Sequence, residues 1–283
     1  MFLLQVILLA VIQGLAELLP VSSSAHVVVA EKLMGLDPSS PAMTLLLVML
    51  HTGTMFAVIV YFWKQWRRTF FSGIEEFKRF AWRAIVATLV TAVVGEILVK
   101  IIEHTIFKGV PHAQVEDLFS RLDIIAPALF AAGLLILIAG LRQSPNSASG
   151  LDAETTTTQA AIIGGVQGLC LPFRGFSRSG STISAAMLIG VSKARAEAFS
   201  FALAVILTPP VVVREVLRLR HVAHGSFGQA AFPSLLGALF SFFAGLLALR
   251  WLSSWLERGR WYYFGIYCLC ASVVVFLLHH RGY

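Results

Sequence analysis

The sequence predicts an all-α, polytopic membrane protein with six transmembrane helices and two re-entrant helix hairpins arranged as an inverted repeat. Three observations predict it. Hydrophobic residues make up 57% of the 283 and charged residues 13%, with a mean hydropathy of +0.80, which is too apolar for a soluble domain of this length. Six segments reach the roughly 20 apolar residues that a helix needs to cross a bilayer. Two shorter stretches resemble each other: AVIQGLAELLPVSSSAH, from Ala10 to His26, and GGVQGLCLPFRGFSRSGSTIS, from Gly164 to Ser184.

Taken in order, the chain opens on an apolar run, Phe2 to Gly14, without the basic n-region and small-residue cleavage site of a signal peptide, so it reads as structure. With Ser24 to Gly35 it makes a first hairpin, each arm about half a bilayer long. The spans Ala42 to Trp63, Trp82 to Ile102 and Ile124 to Leu141 follow, then a polar linker, Gln143 to Thr157. Thr158 to Leu169 and Thr182 to Val191 form the second hairpin. Ala194 to Val213, Pro233 to Trp255 and Trp261 to Leu278 complete the spans. Pro209-Pro210 predicts a kink or an early end, because proline removes a backbone donor and crowds the preceding turn. Tryptophans at Trp63, Trp66, Trp82, Trp251, Trp255 and Trp261 cluster at segment ends, as an interfacial belt would.

Three spans separate the two hairpins, so the second enters from the opposite face and the repeat is inverted. The chain is expected to be one membrane domain, 1–283, with halves of about 1–142 and 158–283 joined by the linker 143–157. The net charge of +7 comes from short loops beside apolar spans, which points to the positive-inside bias and away from nucleic acid. Lys64, Arg67, Arg68, Lys78, Arg79, Arg83, Arg142, Lys193, Arg195, Arg250, Arg258 and Arg260 mark the cytoplasmic side. The first hairpin and both termini then face outward, against the contrary charges Arg214, Arg218 and Arg220. Cys170, Cys268 and Cys270 have neither CxxC spacing nor an even number and are assigned to packing.

Ionisable groups inside membrane segments mark function by default, and here they gather at the two hairpin turns. In the first, Ser22 or Ser23 is the expected N-cap of the second arm and His26 lies one turn further along the same face. A hydroxyl beside an imidazole is the minimum for an activated nucleophile. Glu17 could orient the histidine or hold a divalent cation. The plainer reading is a capped helix with an interior histidine. The second turn, Arg174 to Thr182, sets two guanidinium groups, hydroxyls and two glycines before a helix N-terminus, which suits an anion cradle; its plainer reading is an interfacial loop with snorkelling arginines. His51, in mid-span, is a minority candidate for the same cavity and more simply a packing histidine. Glu96 and Lys100, four apart, read as an ion pair.

On these residues the chain resembles the integral-membrane undecaprenyl-diphosphate phosphatases of the bacitracin-resistance type. ELLPVSSSAH, Glu17 to His26, matches the family's E-[FL]-L-P-[VI]-S-S-[TS]-[GA]-H, and GFSRSGST, Gly175 to Thr182, matches P-G-x-S-R-S-G-x-T; LHTGTMFAV and GLDAETTTTQA fit two further segments. The resemblance implies hydrolysis of the terminal phosphate of a polyprenyl diphosphate, with Glu17, Ser23, His26 and Arg178 as catalytic residues. Ser22, Ser24, Arg174, Ser177, Ser179 and Thr182 would bind substrate phosphate. It also implies a divalent cation, Mg²⁺ or Ca²⁺, near Glu17 and position 13. Two departures matter: the family's E-G-x-x-E begins here with Gln13, and Arg174 stands where the family has proline. The expected partners are the polyprenyl diphosphate and membrane lipids, with a homodimer left open. A carrier for a phosphorylated lipid or organic anion is the alternative of a different class, because inverted repeats with broken helices also build secondary transporters.

Overall fold

A computed structural model describes residues 3–37, 40–105, 121–142, 154–222 and 227–282. Among them the structure is entirely helical: α1 (Leu3–Leu18), α2 (Ser23–Leu33), α3 (Pro41–Thr69), α4 (Ile74–Thr105), α5 (Leu122–Leu141), α6 (Thr157–Cys170), α7 (Arg178–Leu188), α8 (Lys193–Val222), α9 (Phe227–Glu257) and α10 (Tyr262–His280). Five of these, α3, α4, α5, α9 and α10, are long and apolar enough to cross a membrane. The sixth expected span falls inside α8, which runs on to Val222, so Pro209-Pro210 does not end it. Two missing donors do not outweigh the turns on either side. Most of the linker, 143–153, lies outside the described residues.

The hairpins are two pairs of short helices, α1 with α2 and α6 with α7. Their ends differ from the expected ones in a way that matters for the site. Helix α1 continues past Gly14 to Leu18, because nothing opposes helical dihedrals until Leu19, which precedes Pro20. Glu17 is therefore the last turn of a helix and not part of the loop. Helix α2 stops at Gly35, whose φ of 65° suits a left-handed cap. Helix α6 opens on a capping box, Thr156 accepting from Gln159 N at 3.2 Å and Thr156 N donating to Gln159 Oε1 at 2.8 Å.

The chain divides into two compact units. One contains Met1–Leu19, Ser23–Trp63 and Ala204–Ser254; the other contains Pro20–Ser22, Lys64–Leu203 and Trp255–Tyr283. In the first, Val6, Leu9 and Ala10 of α1 pack with Val27, Met43, Leu46 and Leu50, and α1 lies so close to α9 that a Cβ on Gly14 would come within 2.6 Å of Ala244 Cβ. In the second, α10 packs along α5 and α6 along α4. The α4–α6 contact uses a G-x-x-x-G stripe, the small-residue pattern by which membrane helices bring their backbones together. A Cβ on Gly164 would fall 2.7 Å from Ala87 Cα, and one on Gly168 2.8 Å from Thr91 O. Thr91 exploits the approach: its hydroxyl lies 2.8 Å from both Ala87 O and Gly164 O and accepts from Gln167 Nε2 at 3.2 Å.

Two tryptophans leave the expected belt. Trp66 and Trp261 are buried, donating to Ala198 O at 3.1 Å and Ser184 Oγ at 2.9 Å, because a buried indole needs an acceptor and finds one inside. Trp63, Trp82, Trp251 and Trp255 stay exposed. Glu96 and Lys100 do pair, at 3.2 Å, on an exposed face. The three cysteines are free thiols.

Just before α6, Glu154 bridges Arg83 at 2.7 Å and Arg79 at 3.1 Å. The Arg83 hydrogen bond holds its carboxyl below the ordinary value of 4.5, against a smaller opposing effect of burial. A carboxylate with a lowered folded pKa adds stability that is present above the unfolded value and lost as pH falls through the folded one. Arg83→Gln is thus expected to lower the melting temperature at neutral pH by about 1–2 °C. In a pH series on detergent-solubilised protein, that difference should shrink once the pH drops below 4.5; a difference independent of pH would count against the pairing.

Candidate active site

The first hairpin builds its site around one carboxylate oxygen. Gln13 and Glu17 lie one turn apart on α1, and Pro20 then turns the chain so that α2 begins at Ser23. Glu17 Oε2 accepts from Gln13 Nε2 at 3.2 Å and from Ser23 Oγ through a short hydrogen bond, and His51 Nε2 of α3 stands 3.7 Å away. His51 Nδ1 is fixed to Leu47 O at 2.8 Å; a carbonyl only accepts, so that nitrogen carries a hydrogen and Nε2 is the edge turned to Glu17. Glu17 is mostly buried, with 15% of its side chain exposed, whereas His51 is 45% exposed.

This arrangement differs from the expected one in two ways. The Ser23 hydroxyl goes to Glu17, whereas spacing offered a hydroxyl of Ser22 or Ser23 to His26. His26 is half-buried on α2, one turn beyond Ser22 and Ser23. His51 is not a lone buried packing histidine: it is half-exposed and beside the acid. Nothing local in the sequence could join position 51 to position 17, whereas the i, i+4 spacing does signal the Gln13–Glu17 pair. Ser22 sits at the N-cap position, buried, with a left-handed φ of 67°, and Ser24 follows, half-buried, in the first turn of α2.

In the second unit, α7 begins at Arg178, so this arginine belongs to the first helical turn and not to the loop before it. Ser177 is the N-cap, its Oγ accepting from Gly180 N at 3.3 Å. Gly175 has a φ of 107°, and a Cβ there would meet Ile125 O at 2.5 Å, so glycine is dictated twice. Arg174 and Arg178 are half-buried. Ser179 and Thr182, expected to bind phosphate, are buried: Thr182 Oγ1 donates to Arg178 O at 2.7 Å and shares a 2.6 Å hydrogen bond with Ser200 Oγ. The Thr182 hydroxyl thereby braces the start of α7. What the turn offers an anion is the positive end of a helix dipole flanked by two arginines. Pro20 belongs to this same unit: its carbonyl accepts from Cys268 Sγ at 3.3 Å, and a Cβ on Gly180 would come 3.0 Å from Pro20 Cβ.

Sequence reasoning passed over Glu197, in α8, and Glu31, in α2, both buried. Each has a basic residue close by in the chain, Lys32 beside Glu31 and Arg195 two before Glu197, which reads as a solvated end and gives no local cue to a buried carboxylate.

An undecaprenyl-diphosphatase 2 of Acinetobacter baylyi is 56% identical over 285 residues, covering 98% of each chain. One of Burkholderia orbicola is 33% identical over 287 residues, covering 96% of each. An undecaprenyl-diphosphatase of Methanobrevibacter smithii is 30% identical over 298 residues, covering 98% of each. The family described as bacitracin resistance protein BacA matches residues 6–274, and with nearly the whole chain covered, this protein belongs to that family.

Proposed function

We infer that this membrane protein is an undecaprenyl-diphosphatase: it hydrolyses undecaprenyl diphosphate to the monophosphate and inorganic phosphate, which regenerates the cell-wall lipid carrier and resists bacitracin. The observation that carries the reading is the Ser23–Glu17 hydrogen bond at the start of a short helix, in a chain of this family.

Phosphoryl transfer asks a protein mainly for positioning and for charges that match the transferring group. By the resemblance of the two turns to the family's motifs, Arg178 would hold the diphosphate, joined by Arg174; a guanidinium fork suits phosphate oxygens. Ser23 Oγ attacks the terminal phosphorus while Glu17 takes its proton. The bond from phosphorus to the bridging oxygen breaks, and the lipid monophosphate leaves with a proton supplied by His26. Water then attacks the phosphoserine and gives a proton to His26, which restores it; the bond from phosphorus to Ser23 Oγ breaks, Ser23 recovers its proton from Glu17, and phosphate departs. His51 Nε2, 3.7 Å away, steadies Glu17. The lipid tail would stay among the apolar helices, the protein lying in the plasma (inner) membrane with the first hairpin open to the outer side.

A divalent cation would neutralise phosphate charge if it were bound. The residues at the first turn do not suit a resident one, since a single carboxylate there already receives two protein hydrogens and, among the described residues, no three His, Cys, Asp or Glu converge. No step above depends on it.

The test is phosphate release from undecaprenyl diphosphate by the purified protein in detergent, with Ser23→Ala and His26→Ala alongside. A phosphoserine trapped at Ser23 and a loss of about 10³-fold in Ser23→Ala are expected. Ser23→Ala retaining most of its activity would transfer the attack to a water, and no release by the wild type under any cation condition would favour a carrier.

A further inference from the structure

We propose that Glu17 works in this chain without a divalent cation of its own, its charge being answered by protein hydrogens, and that Gln13 is the residue that decides this. The proposal deepens the reading of the first turn as part of a phosphatase site and rests on it.

Gln13 is 1% exposed, and its Nε2 lies 3.2 Å from Glu17 Oε2. A carboxylate oxygen only accepts, so the amide end facing it is the NH₂ group, and what position 13 turns toward Glu17 is hydrogen. The same oxygen receives the Ser23 hydroxyl and has His51 Nε2 at 3.7 Å. Three groups on three elements, α1, the start of α2 and α3, thus converge on one oxygen.

A hard cation asks for several oxygens. Mg²⁺ takes six in a near-octahedral shell and Ca²⁺ six to eight, usually led by more than one carboxylate unless a substrate brings the rest. To bind Glu17 Oε2, an ion would have to displace the Gln13 and Ser23 hydrogens, stranding an amide N–H in a position closed to water. A buried donor left without its acceptor costs about 1–3 kcal/mol. Glutamate at position 13 would invert the balance. Two carboxylates one turn apart on α1 repel each other and call for a cation or a proton between them. One atom, nitrogen or oxygen at the end of residue 13, sets which regime the turn is in.

The experiment uses the full-length protein in detergent without lipid substrate, so that no phosphate can bring an ion along. Thermal unfolding is followed while MgCl₂ or CaCl₂ is titrated through the millimolar range for wild type, Gln13→Glu and Glu17→Gln. Because a ligand that binds only the folded state raises its midpoint by mass action, the wild-type midpoint should move no more than that of Glu17→Gln. The Gln13→Glu midpoint should climb by several degrees. A wild-type rise that Glu17→Gln abolishes would overturn the proposal, as would a Gln13→Glu response equal to the wild type's. If Gln13→Glu folds only with the cation present, that supports the proposal. Mn²⁺ binding followed by electron paramagnetic resonance decides independently of that variant: equal occupancy in wild type and Glu17→Gln supports it, and a site lost with Glu17 refutes it. None of these readouts requires turnover, so a protein that releases no phosphate would sink the functional reading and leave this one to be judged on its own.

Discussion

Glu17→Gln is expected to lower phosphate release from undecaprenyl diphosphate by about 10²–10⁴-fold, mostly in kcat, because the proton of the attacking hydroxyl loses its acceptor. The folded protein should tolerate the change. Glutamine fills the same volume, and its amide oxygen can still receive the Gln13 and Ser23 hydrogens that now meet at Glu17 Oε2. The melting temperature therefore separates a catalytic defect from a folding one. Glu17→Asp is informative for the opposite reason: it keeps the charge but withdraws it by one methylene, beyond the reach of Ser23. Steady-state rates in detergent for the three proteins decide the matter. If Glu17→Gln keeps more than about a tenth of the wild-type rate, a general base at this position is not required.

The second large effect concerns the fold. Gly164→Leu is expected to give no folded protein, and Gly164→Ala to cost about 3 kcal/mol. Even a methyl group would fall 2.7 Å from Ala87 Cα, and backbone cannot yield as a side chain does. Separating α6 from α4 would also break the Thr91 hydrogen bond to Gly164 O, stranding a carbonyl inside apolar surroundings. The neighbouring Gly165 is the control. A Cβ there would meet Val90 Cγ1 at 3.7 Å, an ordinary contact, so Gly165→Ala should purify and melt like the wild type. Equal yields and melting temperatures for the two alanine variants would show that the close approach is not what holds these helices together.

The membrane class, five long apolar helices and both broken hairpins were legible in the sequence because bilayer thickness and hydropathy act on contiguous segments. Local spacing also carried the Glu96–Lys100 pair. What it could not carry was any contact whose partners lie far apart in the chain. His51 reaches Glu17 across two helix boundaries. Thr182 turns inward because Ser200 waits on α8, and Trp66 and Trp261 find acceptors that hydropathy does not see. Helix ends were the other blind spot. Glu17 and Arg178 both looked like loop residues, since the loop was judged from the glycines and prolines, while the helices continue until a proline or a left-handed residue stops them. That shift of one turn gives both side chains a rigid backbone.

Ser22 is the one described residue other than glycine with a positive φ. A side chain in that region costs of order 1 kcal/mol relative to glycine, so this position lies off the local optimum for folding. Glycine at 22 would relax the bend and discard a hydroxyl from the N-cap next to Ser23, the proposed nucleophile. Selection for thermal robustness and selection for turnover therefore pull in opposite directions on a single codon. In a stability-driven redesign of this enzyme, Ser22 is the residue to hold fixed, because glycine there would raise the melting point while removing a group from the turn proposed to react.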